Sequence, residues 1–171
     1  MVSGAGTTVA FTTKCEKAGL TALIKRMKAL DGTEVEGGFF EEDRYGPEQG
    51  NLPVAFVAYM NEYGHSLGLQ GTPERPFMHD TFEGSREQFH MARAMRKVFL
   101  ATLTDGRTVD RILKGAGVLL VDLIQASIDD YPGSNSPTTI ARKGFDDPLR
   151  NTDRMLDSVK FKIHKGGRKD A

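Results

Sequence analysis

Histidine is the residue type in this chain best suited to metal binding or acid–base chemistry. The sequence has four: His65, His79, His90 and His164. His79 and His90 stand on one predicted helix and are separated by about 16 Å at about 1.5 Å per residue, which is too far to share a metal. His65 lies in a predicted loop with Glu62 and Asp80 as candidate carboxylate partners, and we interpret it as a surface histidine beside a helix end. The histidines therefore predict no metal site.

The other side chains that could do chemistry form no catalytic constellation. The Glu-Glu-Asp run at residues 41–43 lacks the spaced ligands and fixed glycine of a calcium loop, so we interpret it as a solvated acidic turn. Ser127 and Ser158 have no histidine at a meaningful spacing, and no glycine-rich loop ends in Lys-Ser or Lys-Thr. Cys15 is the single cysteine, which excludes an intrachain disulfide and cysteine-based zinc sites. We predict a protein that is not an enzyme and that holds no cofactor or metal.

Length and composition are those of a globular domain. The chain has 171 residues, of which 39% are apolar and 27% charged. No stretch approaches the roughly 18 apolar residues of a membrane span. Residues 1–13 lack the basic start and apolar block of a signal peptide. We expect a single domain over residues 1–171 that is made and kept in a cytoplasm.

Basic and acidic residues balance at 23 each, which argues against a nucleic-acid coat and favours self-association. Residues 31–50 nevertheless contain seven acidic residues against Arg44, and residues 141–171 contain nine basic residues against five acidic ones. Three interpretations stay open: an ordinary surface, an acidic edge that faces another copy's basic edge, or a basic C-terminus that contacts DNA. The third assigns DNA contact to Lys160, Lys162, Lys165, Arg168 and Lys169.

The spacing of apolar residues predicts the helices. The first ends at the Asp-Gly pair 31–32, and a short helix follows with Asn51 as its cap and Gly64 as its stop. Two long helices are expected over about residues 77–103 and 108–129. Because a short turn joins them, their apolar stripes should pair antiparallel and form the core.

The strands are predicted by alternation. Residues 159–164 alternate strictly, as in a half-buried strand, and residues 33–40 suggest a partner strand that is weakened or bulged at Gly37 and Gly38. Residues 9–12 are a candidate third strand. The predicted fold class is α+β, with a small antiparallel sheet of two or three strands packed against three or more helices, two of them long and antiparallel. Its parts are an N-terminal arm at 1–13, a core at 14–164 with docking loops at 64–76 and 134–151, and a charged tail at 165–171.

Two segments have a more specific pattern. The first is Val-Ala-Tyr-Met-Asn-Glu-Tyr-Gly at 57–64, followed after a loop by Pro-Glu-Arg-Pro-Phe-Met at 73–78. The second is Ser-Pro-Thr-Thr-Ile-Ala-Arg-Lys-Gly at 136–144, followed by Pro-Leu-Arg-Asn-Thr-Asp-Arg-Met-Leu-Asp-Ser-Val at 148–159. Together they resemble the neck or tail-completion proteins of tailed bacteriophages, small virion proteins at the head–tail junction. The similarity spans about residues 33–164 in the same order, and only these two segments match closely.

One turn departs from the family pattern. In that family a helix ending in Asn-Glu-aromatic-Gly leads through a loop to an Arg-Pro-Phe element that opens a long helix. The family's Asp-Thr-Gly turn corresponds here to Asn151-Thr152-Asp153. Asn151 or Thr152 can still cap the helical turn that follows, but the backbone freedom of glycine is lost. The geometry of this turn is therefore in question.

The resemblance implies a non-enzymatic virion subunit, assembled in the host cytoplasm. It would form a hexameric or dodecameric ring around the DNA channel and join the head connector to the tail. Alternatives are a tail-terminator ring that caps the tail tube, or a DNA-binding accessory protein that uses the basic C-terminus. The expected partners are other copies, head-connector or head-closure proteins, tail-tube or tail-terminator proteins and packaged DNA, and not a membrane.

The two docking loops are expected to be too polar to pack inward, so they and their flanks supply the expected interface. Its residues are Glu62, Tyr63, His65, Arg75, Pro76, Phe77, Ile140, Arg142, Lys143, Leu149 and Arg154. Pro76 biases the residue before it to an extended backbone and suits the first turn of a helix. The guanidinium of Arg75 is then placed beside the loop, where it could reach Glu62 or a carboxylate of a neighbouring subunit.

Overall fold

The computed structural model describes residues 17–66, 71–83, 85–104 and 108–166. Over these residues the chain forms an α+β fold, which confirms the predicted fold class. The elements are α1 Lys17–Leu30, β1 Thr33–Gly38, a 3-10 turn Pro47–Gln49, α2 Val54–Tyr63, α3 Phe77–Glu83, α4 Ser85–Thr104, α5 Val109–Asp129, α6 Pro137–Lys143, α7 Arg154–Asp157 and β2 Lys160–Lys165. No helix in the described ranges is long and apolar enough to cross a bilayer. The predicted arm, the candidate strand at 9–12 and residues 167–171 of the charged tail lie outside the described residues.

β1 and β2 pair antiparallel, as the alternation predicts. Val35 stands opposite Ile163 and Gly37 opposite Phe161, and the ladder continues to Gly38. The predicted bulge at Gly37 and Gly38 is therefore wrong, and residues 39 and 40 lie beyond the strand. Because side chains alternate along a strand, Val35 and Gly37 share a face with Ile163 and Phe161.

Two glycines bring α5 close to that face of the sheet. A Cβ on Gly117 would lie 2.1 Å from the ring of Phe161, and a Cβ on Gly37 would lie 2.9 Å from the Cβ of Leu120. Such distances are shorter than van der Waals contact, so only glycine allows this approach of helix and strand. Gly37 thus serves packing against α5 and not a bulge.

The hydrophobic core lies between α2, α3, α5 and the chain that leads into β2. Its buried members are Val54, Ala58, Phe77, Ile124, Ile128, Leu149, Met155 and Val159. The apolar face of α5 therefore meets α3, the sheet and a C-terminal segment, all from distant parts of the sequence.

The predicted long helix over 77–103 agrees with α3 and α4, which together cover every described residue of that range. α4 contacts α5, but its Met95 and Phe99 are 40% and 46% exposed. The expectation that this stripe forms the core with α5 therefore holds for α3 and fails for α4.

The predicted helix stop at Gly64 is confirmed, but both predicted side-chain caps are wrong. Asn51 has a φ of 52°, and α2 begins after Pro53 instead. α7 follows Asp153, not Thr152, and Asp153 has a φ of 55° in the left-handed region that favours glycine. The carboxylate of Asp153 accepts hydrogen bonds from Nε and Nη2 of Arg150, at 2.8 and 2.9 Å.

Acid should weaken this turn. Hydrogen bonding to Arg150 holds the pKa of Asp153 below its usual range. A carboxyl with a lowered pKa stabilises the fold above its unfolded pKa of about 3.9, and this contribution disappears as pH falls through the folded value. We expect the free energy of unfolding to fall more steeply between about pH 5 and 2 in the wild type than in Asp153→Asn.

Urea unfolding at a series of pH values measures this difference. Asn also tolerates the left-handed region, so Asp153→Asn removes the charge and keeps a compatible backbone. Asp153→Gly is the matched control, because it removes the charge and the backbone strain together. Equal acid slopes in the wild type and Asp153→Asn would contradict the prediction.

Candidate interaction site

Glu62 joins the end of α2 to the start of α3. Its side chain is buried, and its two carboxylate oxygens accept hydrogen bonds from the backbone N–H groups of Met78 and His79, each at 2.9 Å. The first N–H groups of a helix have no partner within the helix, and the helix dipole favours negative charge there. The glutamate of the Asn-Glu-aromatic-Gly segment therefore closes the intervening loop onto α3.

Loss of the Glu62 carboxylate should destabilise the fold. Glu62→Ala should lower the free energy of unfolding by about 2–3 kcal/mol, because two charge-assisted hydrogen bonds are lost in a buried place. Glu62→Gln keeps one oxygen acceptor and should lose about half as much. Urea unfolding measures both. Glu74→Ala, in the exposed part of the same loop, is the control and should change stability by less than about 0.5 kcal/mol. Equal stability of Glu62→Ala and Glu74→Ala would contradict the capping role.

Arg75 connects the two segments whose pattern is most specific in the sequence, residues 57–78 and 136–159. Its guanidinium donates to the side-chain oxygen of Asn61 at 3.5 Å, the carbonyl of Pro148 at 3.2 Å and the side-chain oxygen of Asn135 at 3.4 Å. Among the described residues it forms no ion pair with Glu62, whose oxygens bind α3, so the predicted Arg75–Glu62 pair is wrong. Burial lowers the pKa of Arg75, but a guanidinium stays charged at neutral pH. Arg75 therefore joins α2 to the C-terminal segment. It does so as a cation that donates hydrogen bonds to neutral acceptors.

The predicted docking loop 134–151 is anchored to the rest of the chain. Ser136 caps α6, and the carboxylate of Asp146 accepts a hydrogen bond from the backbone N–H of Asn135. Leu149 is buried in the core. The expectation that this segment is too polar to pack inward is therefore wrong for Asn135 and Leu149, which are buried, whereas α6 has no buried residue.

The predicted interface residues differ in their exposure. Glu62, Phe77 and Leu149 are buried, so they position the loops and do not themselves present a surface to a partner. Tyr63 is 64% exposed. Arg142 and Arg154 are also exposed, and the half-buried ones are His65, Arg75, Pro76, Ile140 and Lys143.

An open groove of about 480 Å³ lies between the end of β1, α2 and α3. We call it the aromatic groove, and its apolar lining includes Phe39, Phe40, Tyr59, Tyr63, Met78 and Phe82. The rings of Tyr59 and Tyr63 lie 4.8 Å apart, centroid to centroid, and Tyr59 is 58% exposed. Exposed aromatic side chains are typical of protein interfaces. Tyr59 is not among the predicted interface residues, although its spacing of four residues from Tyr63 on a helix places both on one face.

Large apolar side chains are also exposed on the two helices that lie outside the core. They are Leu20, Ile24 and Met27 on α1 and Met95 and Phe99 on α4, each at least 40% exposed. α1 packs against both α4 and α5. α1 and α4 are rich in lysine and arginine, so we call this surface the basic helical face. A count of charges helix by helix could have identified it from the sequence.

The histidines do not converge on one site. Their hydrogen-bond or ion-pair partners are Thr72 for His65, Glu83 for His79 and Glu36 for His164. The side chain of His90 lies outside the described residues. In the described part of the chain no group of three or more His, Cys, Asp or Glu side chains could hold a metal ion.

The basic side chains of β2 pair with carboxylates of their own chain. The pairs are Lys160 with Asp43, Lys162 with Glu42 and Lys165 with Asp110, each at 2.7 Å. The acidic block at 31–50 and part of the basic C-terminus therefore already meet within one chain, at the pairs of Lys160 and Lys162. The three pairs also neutralise three of the residues assigned to DNA contact. Arg168 and Lys169 lie outside the described residues.

No protein-family model matches this chain, and no curated protein or solved structure matches it significantly. Its function is therefore inferred from its own residues. The most informative features are the junction at Arg75 and the two exposed apolar surfaces.

Proposed function

We propose that this chain is a non-enzymatic virion subunit of the head–tail junction, where copies form a ring around the DNA channel between head connector and tail. The observation that supports this most directly is the convergence of the two segments that resemble neck or tail-completion proteins. Arg75 and Pro148 are 73 residues apart in sequence and are joined by a hydrogen bond. If the two short segments were like the family only by chance, nothing would require them to lie in contact in the folded chain.

The contacts of these segments suit a subunit that presents fixed surfaces. Glu62 holds the start of α3, and Arg75 holds the segment that carries α6. The segment 134–151 and the described part of the loop 64–76 are thereby held by contacts within the chain. Preorganised surfaces bind more tightly because less conformational entropy is lost on association.

The exposed apolar surfaces also suit a ring. In a cyclic ring each subunit contacts its neighbours through two different surfaces. The basic helical face and the aromatic groove are two such surfaces on one chain. Exposed apolar patches of this kind mark interaction sites in soluble proteins.

Assembly of phage particles tests this function. Particles made without the protein should appear in electron micrographs as full heads and separate tails, and added purified chain should restore joined particles. Overlong tails in its absence would favour a ring that caps the tail tube instead. A purified chain that stays monomeric at high concentration and binds neither heads nor tails would overturn the proposal.

A further inference from the structure

We propose that copies of this chain associate by seating the basic helical face of one copy on the aromatic groove of the next. The inference rests on the proposed function in that it names the subunit contact of the ring. Its physical basis, however, lies in the charge and chemistry of the two surfaces, which can be tested on the purified chain alone.

The two surfaces have opposite charge. The sequences of α1 and α4 contain eight basic residues and one acidic residue. The lining of the groove contains three acidic residues, Glu36, Glu62 and Glu83, and no lysine or arginine. The ion pairs found among the described residues do not use Lys25, Lys28, Arg93, Arg96 or Lys97.

Two carboxylates on the rim of the groove, Glu36 and Glu83, each pair with a histidine, His164 and His79. Complementary potentials of this kind fix the register and orientation of an encounter.

The apolar chemistry of the two surfaces is also complementary. Met27 and Met95 are flexible thioether side chains that pack favourably against aromatic rings such as Tyr59 and Tyr63. Lysine and arginine are attracted to aromatic faces. The chain already uses that contact, since Nζ of Lys162 lies 4.0 Å from the ring centroid of Phe40 in the groove wall.

A second copy covers both surfaces at once. The groove lining contains no residue of α1 or α4, so one chain can offer both surfaces to two neighbours. Such a contact is heterologous, and it closes into a ring if its rotation allows. An anionic partner such as DNA would cover the basic face and leave the aromatic groove exposed.

Complementary variants test the contact. Ile24→Glu places a negative charge in the basic helical face, and the double variant Tyr59→Ala/Tyr63→Ala removes the exposed rings of the groove. Each alone should weaken self-association by about 30-fold or more, as expected for interface hot spots. An equimolar mixture should form dimers that grow no further, because each variant keeps one intact surface. Sedimentation velocity of the full chain measures the masses.

Leu52→Glu is the matched control. Leu52 is an exposed apolar residue outside both surfaces, and this variant should associate like the wild type. Circular dichroism and thermal melting check that each variant is folded, and Leu20→Glu repeats the test on α1 if Ile24→Glu fails this check. We also expect wild-type association to weaken as salt is raised.

Three outcomes would overturn the inference. The variants could assemble like the wild type, their mixture could stay monomeric, or a monomeric wild type could bind duplex DNA in a way that Arg93→Glu/Arg96→Glu abolishes. If the wild type assembles and the variants assemble equally well, this contact is refuted and the junction function still stands. Failure of the wild type to bind heads or tails would refute the function itself.

Discussion

Gly117→Ala should lower the free energy of unfolding by about 3 kcal/mol, although alanine is the better helix former by about 1 kcal/mol. Gly117 is buried in α5 at the point where the ring of Phe161 in β2 lies against the helix backbone. A new Cβ would stand 2.1 Å from that ring, far inside van der Waals contact. Because Cγ of the ring would also lie 2.4 Å from that Cβ, the whole side chain of Phe161 and not only its tip would have to move.

Gly115→Ala is the matched control on the same helix. Gly115 is exposed, and a Cβ there would meet nothing within 4 Å. Gly115→Ala should therefore raise the free energy of unfolding by up to about 1 kcal/mol, because alanine is the better helix former. Urea unfolding should rank Gly115→Ala above the wild type and Gly117→Ala well below it. If Gly117→Ala were as stable as Gly115→Ala, the close approach of α5 to the sheet would be contradicted.

The glycines show what a sequence leaves open about packing. The alternation of residues 159–164 and the stripe of α5 predict which side chains face inward, and those local patterns are correct. A glycine contributes no side chain to such a pattern. Gly37 was interpreted as a bulge and Gly117 was not singled out, because their role depends on Phe161 and Leu120, which come close only in the folded chain.

The helices show the same limit at a larger scale. A stripe of apolar residues predicts that one face of a helix is apolar, and this is correct for α1, α4 and α5. It does not say what covers the face. In α5 the cover is α3, the sheet and the segment around Leu149, whereas Met95 and Phe99 on α4 remain exposed.

The candidate site was found from the sequence, but its contacts were not. Glu62 and Arg75 were both identified, and opposite charges at a loop suggested that they pair. The structure gives Glu62 two backbone N–H groups and gives Arg75 three neutral oxygens. Backbone donors and carbonyls have no signature in a sequence, so charge alone could not predict these partners.

Phe77→Ala should lower the free energy of unfolding by about 3–5 kcal/mol, the loss typical of a fully buried phenylalanine. Phe77 has no exposed surface, and its ring meets that of Phe39 edge-on at 6.2 Å between centroids. Its carbonyl also accepts a hydrogen bond from the hydroxyl of Ser127 in α5 at 2.8 Å. The side chain therefore lies where α3, α5 and the end of β1 meet.

This loss is a large share of the stability of a small domain, which is about 5–15 kcal/mol, so Phe77→Ala should unfold at a much lower temperature than the wild type. Phe77→Leu keeps most of the volume and should cost less than about 2 kcal/mol. Phe56→Ala is the exposed control on α2 and should cost less than about 1 kcal/mol. Thermal and urea unfolding should therefore rank Phe77→Ala far below the other two. If Phe77→Ala cost no more than Phe56→Ala, α3 would not start in the core, and the Glu62 cap and the Arg75 contacts would lose the fixed helix on which they depend.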